Sequence, residues 1–145
     1  MLTALKSKDK KLLFSQLKEQ FGFSDKLNYS FFVNPHKKLF ILNPKVDIDF
    51  SKINVNSLGL YFANIEKELR LSIEGSQLIG PSSTKNILEV NETKLNSWIS
   101  GKDITTKEEF SGFVLIRHGK DFYGSGKYKD GKVLNFIPKE RRIKD

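Results

Sequence analysis

Apolar residues recur at helical spacing in the first segment of the chain, where Leu13, Phe14, Leu17 and Phe21 share one face and Lys-rich positions fill the other. The spacing predicts an amphipathic helix over residues 7–21, capped by Ser7 or Asp9 and stopped at Gly22. Two short apolar runs follow, Phe31 to Val33 and Leu39 to Leu42, around the turn composition Asn34-Pro35-His36. They predict a hairpin and, with the helix, a small α+β unit. Hydrophobicity then drops through "NPKVDIDFSKINVNS", which places a boundary near residue 55 and divides the chain into units 1–55 and 56–145.

Beyond the boundary, Leu69, Leu71 and Ile73 alternate with Glu68, Arg70 and Ser72, the period of a half-buried strand with Arg70 on its outer face. "IEGSQLIGPSSTKN" reads as one or two helical turns and a loop ending near Lys85, and "NILEV" as a short strand. Asn91 caps a second clear helix, with Leu95, Trp98 and Ile99 on one face and Gly101 closing it. The last third holds three strand patterns, "GFVLIRH", "DFYGSGKY" and "KVLNFIP", separated by Gly119-Lys120 and Lys129-Asp130-Gly131. They predict a meander closing a small barrel. Apolar residues on both parities from Phe113 to Ile116 predict a strand buried on both sides, and Gly124 and Gly126 predict a bend where a helix crosses.

Charge changes the picture. Lys and Arg number 25 against 17 Asp and Glu, a formal net charge of +8, which favours polyanionic partners. From Arg117 to the C-terminus there are nine basic and four acidic residues. In "PKERRIKD", Lys139, Arg141, Arg142 and Lys144 follow Pro138, and arginines in such a tail can fork onto phosphates. A tail lying along the barrel would bring them near Arg117 and Lys127. The alternative is a frayed, solvated terminus.

Catalytic patterns are sparse. With no cysteine in the chain, disulfides, thiolate metal sites and thiol nucleophiles are excluded. "GSGKY" superficially resembles the end of a phosphate loop, but that motif needs a Gly at position 121 and a Ser or Thr at 128, where this chain has Asp121 and Tyr128. His36 and His118 stand without a nucleophile or metal-ligand spacing around them. Asp47 and Asp49 share a parity but read as charges guarding an edge strand. With the phosphate-loop motif and metal-ligand spacing both missing, no cofactor is expected; no stretch has the length and apolarity of a membrane span or a signal, so no membrane partner is expected and the expected compartment is the cytoplasm.

Taken together, "LRLSIEGSQLIGP", "WISGKDI" and "GFVLIRHGKDFYGSGKYKDGKVLNFIPKERR" resemble the PUA-like RNA-binding domain over roughly residues 58–143. The version they look most like is the C-terminal domain of RsmF-type rRNA cytosine-5 methyltransferases and of short stand-alone archaeal proteins. The N-terminal unit resembles the pre-PUA segment of some ribosome-biogenesis proteins. The resemblance implies an α+β chain with a mixed β pseudo-barrel and short helices, binding structured RNA (rRNA or tRNA). RNA would lie against the helix carrying a Gly-Ala-like pair, here Gly75-Ser76, and the exit of the last strand. The positions this implies are Arg70, Ser72, Gln77, Lys85, Lys139, Arg141 and Arg142, with Lys127 on the neighbouring strand.

The methyltransferases of this resemblance use a cysteine in a separate catalytic domain, and this chain has no cysteine and no room for that domain, so a non-catalytic module is expected, working with an RNA-modifying enzyme or a ribosome-assembly protein. Two other readings stand beside it. One is a protein-interaction adaptor docking through Trp98, Phe122 and Tyr123; the other is an ASCH-like hydrolase of nucleoside derivatives built on Lys127, Tyr128 and Glu74.

Overall fold

The computed structural model describes residues 2–42 and 59–143. A two-residue strand β1 (Thr3–Ala4) leads into helix α1 (Ser7–Phe21), and strands β2 (Ser30–Val33) and β3 (Lys38–Leu42) form the expected hairpin. Helix α1 runs over the residues its periodicity marked, but no side chain caps its start: Lys6 is the cap residue, and Asp9 instead places a carboxylate in the positively polarised first turn. Its end is closed by Gly22 at φ 68°, where the Gly22 N–H donates to the Lys18 carbonyl at 2.9 Å and the Phe23 N–H to that of Leu17 at 3.3 Å. In the hairpin turn the Asn34 side-chain oxygen accepts from the N–H groups of His36 and Lys38, both at 2.9 Å.

The expected boundary near residue 55, with Asp47 and Asp49, lies outside the described residues. The strands that flank it pair directly: β4 (Leu60–Asn64) runs antiparallel to β3, and β5 (Arg70–Leu71) to β4, completing a sheet of order β1-β2-β3-β4-β5. Here the alternation of Leu69, Leu71 and Ile73 misleads, because the strand stops at Leu71 and Ile73 opens helix α2 (Ile73–Ile79). Ser72 is the cause: its hydroxyl accepts the Gly75 N–H at 2.9 Å, an N-cap that turns the chain from strand to helix. A 3-10 turn over Gly80–Ser82 follows.

The second sheet has the order β6-β8-β9-β10-β7. It comprises β6 (Ile87–Glu89), β7 (Ile104–Thr105), β8 (Phe113–His118), β9 (Asp121–Lys129) and β10 (Lys132–Asn135), with helix α3 (Glu92–Ile99) between the first two. β6 and β8 are parallel and the other pairs antiparallel, so the sheet is mixed, and it curls into half of a barrel. Asn91 caps α3 as its composition predicts, accepting the Lys94 N–H at 2.8 Å. The β9–β10 turn carries Asp130 and Gly131 at φ 47° and 82°, the left-handed pair a tight hairpin requires.

β8 is the partition of the molecule. All four residues from Phe113 to Ile116 are buried, but Phe113 and Leu115 belong to a core shared with α1, β2, β3 and β4, whereas Val114 and Ile116 pack with Trp98, Val133 and Ile137 on the other face. The continuous apolar run is what a strand between two cores needs. Opposite Ile116, β9 inserts Tyr123 and Gly124 between the pairs Arg117↔Phe122 and Leu115↔Ser125, a bulge with Gly124 at φ 89°. Two residues on, Gly126 lets helix α3 close in: a Cβ there would stand 2.6 Å from the Trp98 ring and collide with the Leu134 carbonyl. The Trp98 indole N–H is satisfied by the Tyr123 carbonyl at 2.7 Å. The glycine-bent strand under a helix is therefore the observed structure.

Candidate nucleic-acid interface

The two sheets meet at β5 and β9, where the Ser125 hydroxyl donates to the Leu71 carbonyl at 2.9 Å. Beside this seam an open cleft of ≈ 420 Å³ is lined by Asn64, Glu66, Lys67, Glu68 and Arg70 from the first sheet and by Phe113, Lys127 and Phe136 from the second. The residues reach it for simple reasons. Arg70 is the outward position of a two-residue edge strand whose inward neighbour, Leu71, is buried. Lys127 alternates with Gly126 and Tyr128, which face the second core. Phe136 precedes buried Ile137 and so points the other way, with 38% of its surface exposed.

Within the cleft the Arg70 guanidinium carbon lies 5.0 Å from the centroid of the Phe136 ring, and that ring lies 5.4 Å from Phe113 at an interplanar angle of 51°. Among the described residues Arg70 makes no ion pair. Lys127 does: its ammonium is 2.5 Å from Glu68 Oε1 and 5.9 Å from the Phe113 centroid. The sequence-expected residues Arg70 and Lys127 thus meet at one site, and Phe136, Phe113 and Lys67 join them there. Phe136 has a signal in the sequence, an aromatic on the opposite parity from Val133 and Ile137 just before Pro138, which is easily taken for one more core residue of the strand.

The remaining expected residues lie elsewhere. Ser72 spends its hydroxyl on the cap and on the Tyr61 and Phe62 carbonyls, 2.5 and 3.0 Å away. The Gly75-Ser76 pair is buried: a Cβ on Gly75 would strike the Phe62 carbonyl, and the Ser76 hydroxyl donates to the Ile73 carbonyl at 2.6 Å while accepting the Gly124 N–H at 2.8 Å. The pair lets α2 sit closely against both sheets. Gln77 on α2 and Lys85, whose backbone N–H donates to the Phe21 carbonyl at 3.2 Å, are exposed and do not line the cleft.

Up to Ile143 the C-terminal segment is folded back rather than frayed; Lys144 lies outside the described residues. Lys139–Arg141 forms a 3-10 turn with Lys139 exposed, Arg141 pairs with Glu74 at 2.6 Å, and the Ile143 N–H donates to the Ile99 carbonyl at 2.9 Å. Arg142 donates to the Ile137 carbonyl at 3.0 Å and lies over Gly101. One oxygen of Glu74 is buried without a partner among the described residues, so Arg141 supplies the only countercharge shown there. Arg117 does not approach Lys127. It pairs with Glu89 at 2.8 Å, four residues along β8 from Phe113, the partner of Lys127, which is a separation of about 13 Å.

Both alternative sites dissolve in the structure. Trp98 and Phe122 are core residues, 0% and 3% exposed, and Tyr123 is half-buried against the core that holds Trp98, so the three do not form a docking surface. Lys127 and Tyr128 are neighbours in β9 and face opposite sides of the sheet, with Tyr128 stacked edge-on to Phe110, while Glu74 is engaged by Arg141, so the three do not converge on a pocket.

Two layers of strands, a mixed half-barrel and a short helix packed against its bulged strand define a PUA-like α+β fold. Residues 85–143 match the family model of the methyltransferase RsmF PUA domain, a segment that takes in Lys85, Lys127, Phe136, Lys139, Arg141 and Arg142 but begins after Arg70, Ser72 and Gln77. Similar proteins include the ribosomal RNA small subunit methyltransferase F of two strains of Vibrio cholerae serotype O1, each 25% identical over 91 residues. The protein of that name from Aeromonas salmonicida is 24% identical over the same length. The alignments cover 61% of this chain and 19% of each relative, so the chain spans about a fifth of the length of the relatives it matches.

Proposed function

We propose that this chain is a non-catalytic module that binds structured RNA, rRNA or tRNA, and presents it in ribosome biogenesis or RNA modification to an enzyme acting in trans. The observation that carries the reading is the cleft at the sheet seam, where Lys67, Arg70 and Lys127 surround an exposed aromatic in a chain of net charge +8. Cations beside an aromatic ring offer both of the chemistries RNA presents, phosphate and base face. The likeness to ribosomal RNA small subunit methyltransferase F supports rRNA as the ligand. The matched segment is that family's PUA domain, and a chain without cysteine lacks the thiol of the resembled chemistry. Cytoplasmic location belongs to the same proposal; among the described residues no helix is long and apolar enough to cross a membrane.

The test is equilibrium binding to rRNA and tRNA fragments over a salt series. Phosphate contacts release counterions, so log K should fall linearly with log salt, with a slope near 0.7 to 0.9 per contact. Undetectable binding at low salt, or an affinity indifferent to salt, would sink the proposal.

A further inference from the structure

Resting on that RNA-binding reading, we infer that the Arg70–Phe136 pair is a stacking platform for one unpaired nucleobase. The fold leaves one aromatic ring of the cleft partly exposed. Phe136 could have been covered like its neighbour Ile137, yet 38% of it faces solvent and its companions in the cleft are Phe113 beneath and the planar Arg70 guanidinium at 5.0 Å. A guanidinium has two flat faces. Arg70 sits over the ring and lines the cleft, and among the described residues no carboxylate pairs with it to draw it away. A flat, weakly hydrated cation held over an aromatic ring offers a nucleobase a surface of matching shape and complementary charge.

The surroundings suit an unpaired base rather than a duplex. The cleft is concave and bounded by Asn64 and Glu66, whose amide and carboxylate groups suit base edges, and by Glu68, which is paired with Lys127; the carboxylates repel phosphate from its interior. Lys67, and Lys127 when phosphate displaces Glu68 from it, hold the phosphates flanking an extruded nucleotide. An A-form helix keeps its bases stacked inside and cannot place one here, whereas a bulge or loop can.

The experiment compares two RNA hairpins of equal length, one fully paired and one carrying a single bulged 2-aminopurine. The protein should bind the bulged hairpin about tenfold more tightly, with quenching of the 2-aminopurine fluorescence as it stacks. Phe136→Leu, which keeps apolar bulk without a ring, should bring the affinity for the bulged hairpin down to that for the paired one. Arg70→Lys, which keeps charge without the plane, should lose most of the preference too, and it decides the matter should Phe136→Leu fail to fold by circular dichroism. Equal, salt-sensitive binding of both hairpins overturns the platform and leaves the RNA-binding proposal standing. Undetectable binding of both hairpins at low salt removes both proposals.

Discussion

The hydroxyl of buried Ser76 accepts the backbone N–H of Gly124 at 2.8 Å, tying helix α2 to the bulge of β9. Both groups exist for the same reason: the bulge leaves one amide out of the β8 ladder, and a small polar residue on the helix beside it supplies the missing acceptor.

Ser76→Ala should therefore fold but lose about 1 to 3 kcal/mol, the cost of a buried amide left without a partner. Ser125→Ala, which removes a hydroxyl donated to the Leu71 carbonyl, should cost less, because a lone carbonyl is tolerated better than a lone N–H. Urea unfolding of the two variants measures the difference. Equal losses would show that the Gly124 amide is satisfied another way.

Gly126 makes a steric prediction. A Cβ at this position meets the Leu134 carbonyl, the Trp98 ring at 2.6 Å and Val133 Cγ1 at 2.7 Å, and a backbone carbonyl in a paired strand cannot retreat. Gly126→Ala should cost about 3 kcal/mol, the upper range for overpacking. Gly119→Ala is the contrast: its φ is 65° but nothing lies within 4 Å, so it should cost only about 1 to 2 kcal/mol for the left-handed backbone. Thermal or urea melts that rank the two in the opposite order would refute the close approach of α3 to β9.

Local patterns carried most of the fold. Helix α1 was legible because four apolar residues and Gly22 agree on its length, and β8 because a run apolar on both parities has to lie between two cores. The failures are equally local in cause. Ile73 continues the period of Leu69 and Leu71, and only the capping bond of Ser72 ends the strand before it. β1 and β7, of two residues each, are too short to show any period. At the cleft, charge and resemblance pointed to Arg70 and Lys127, yet charge cannot tell a free cation from a committed one. Arg141 and Arg142 look alike in sequence, but the partner of one is Glu74 and the other is held by the Ile137 carbonyl, and the Arg141 pairing spans most of the second half of the chain.

Commitment of Lys127 to Glu68 predicts a gain of function. With the two groups 2.5 Å apart, the carboxylate competes with RNA phosphate for the ammonium. Glu68→Gln should raise RNA affinity severalfold at low salt and steepen the log K against log salt slope by up to about one unit, as one more cation engages phosphate. Adding Lys127→Ala should cancel the gain. If Glu68→Gln weakens binding in the same salt series, then Glu68 itself faces the RNA and the competition does not operate.

Glu89 supplies the pH dependence. Its carboxylate accepts from the Arg117 guanidinium at 2.8 Å and from the Gly119 N–H at 2.9 Å, tying β6 to the far end of β8 and the turn into β9. The Arg117 hydrogen bond first, then the Gly119 amide, hold its pKa below the ordinary glutamate value against the opposing effect of burial, with the charges of Arg117 and His118 adding in the same direction. A folded-state pKa below the unfolded one means that the contribution to stability is fully present above the unfolded value, about 4.3, and is lost as pH falls through the folded value. Glu89→Gln should thus lower the melting temperature at neutral pH, and the gap from wild type should close as pH falls from about 5 through the folded value. Melting curves of both proteins across that range provide the check, and a gap that stays constant to pH 3 would mean that the carboxylate charge contributes nothing to holding β6 on β8.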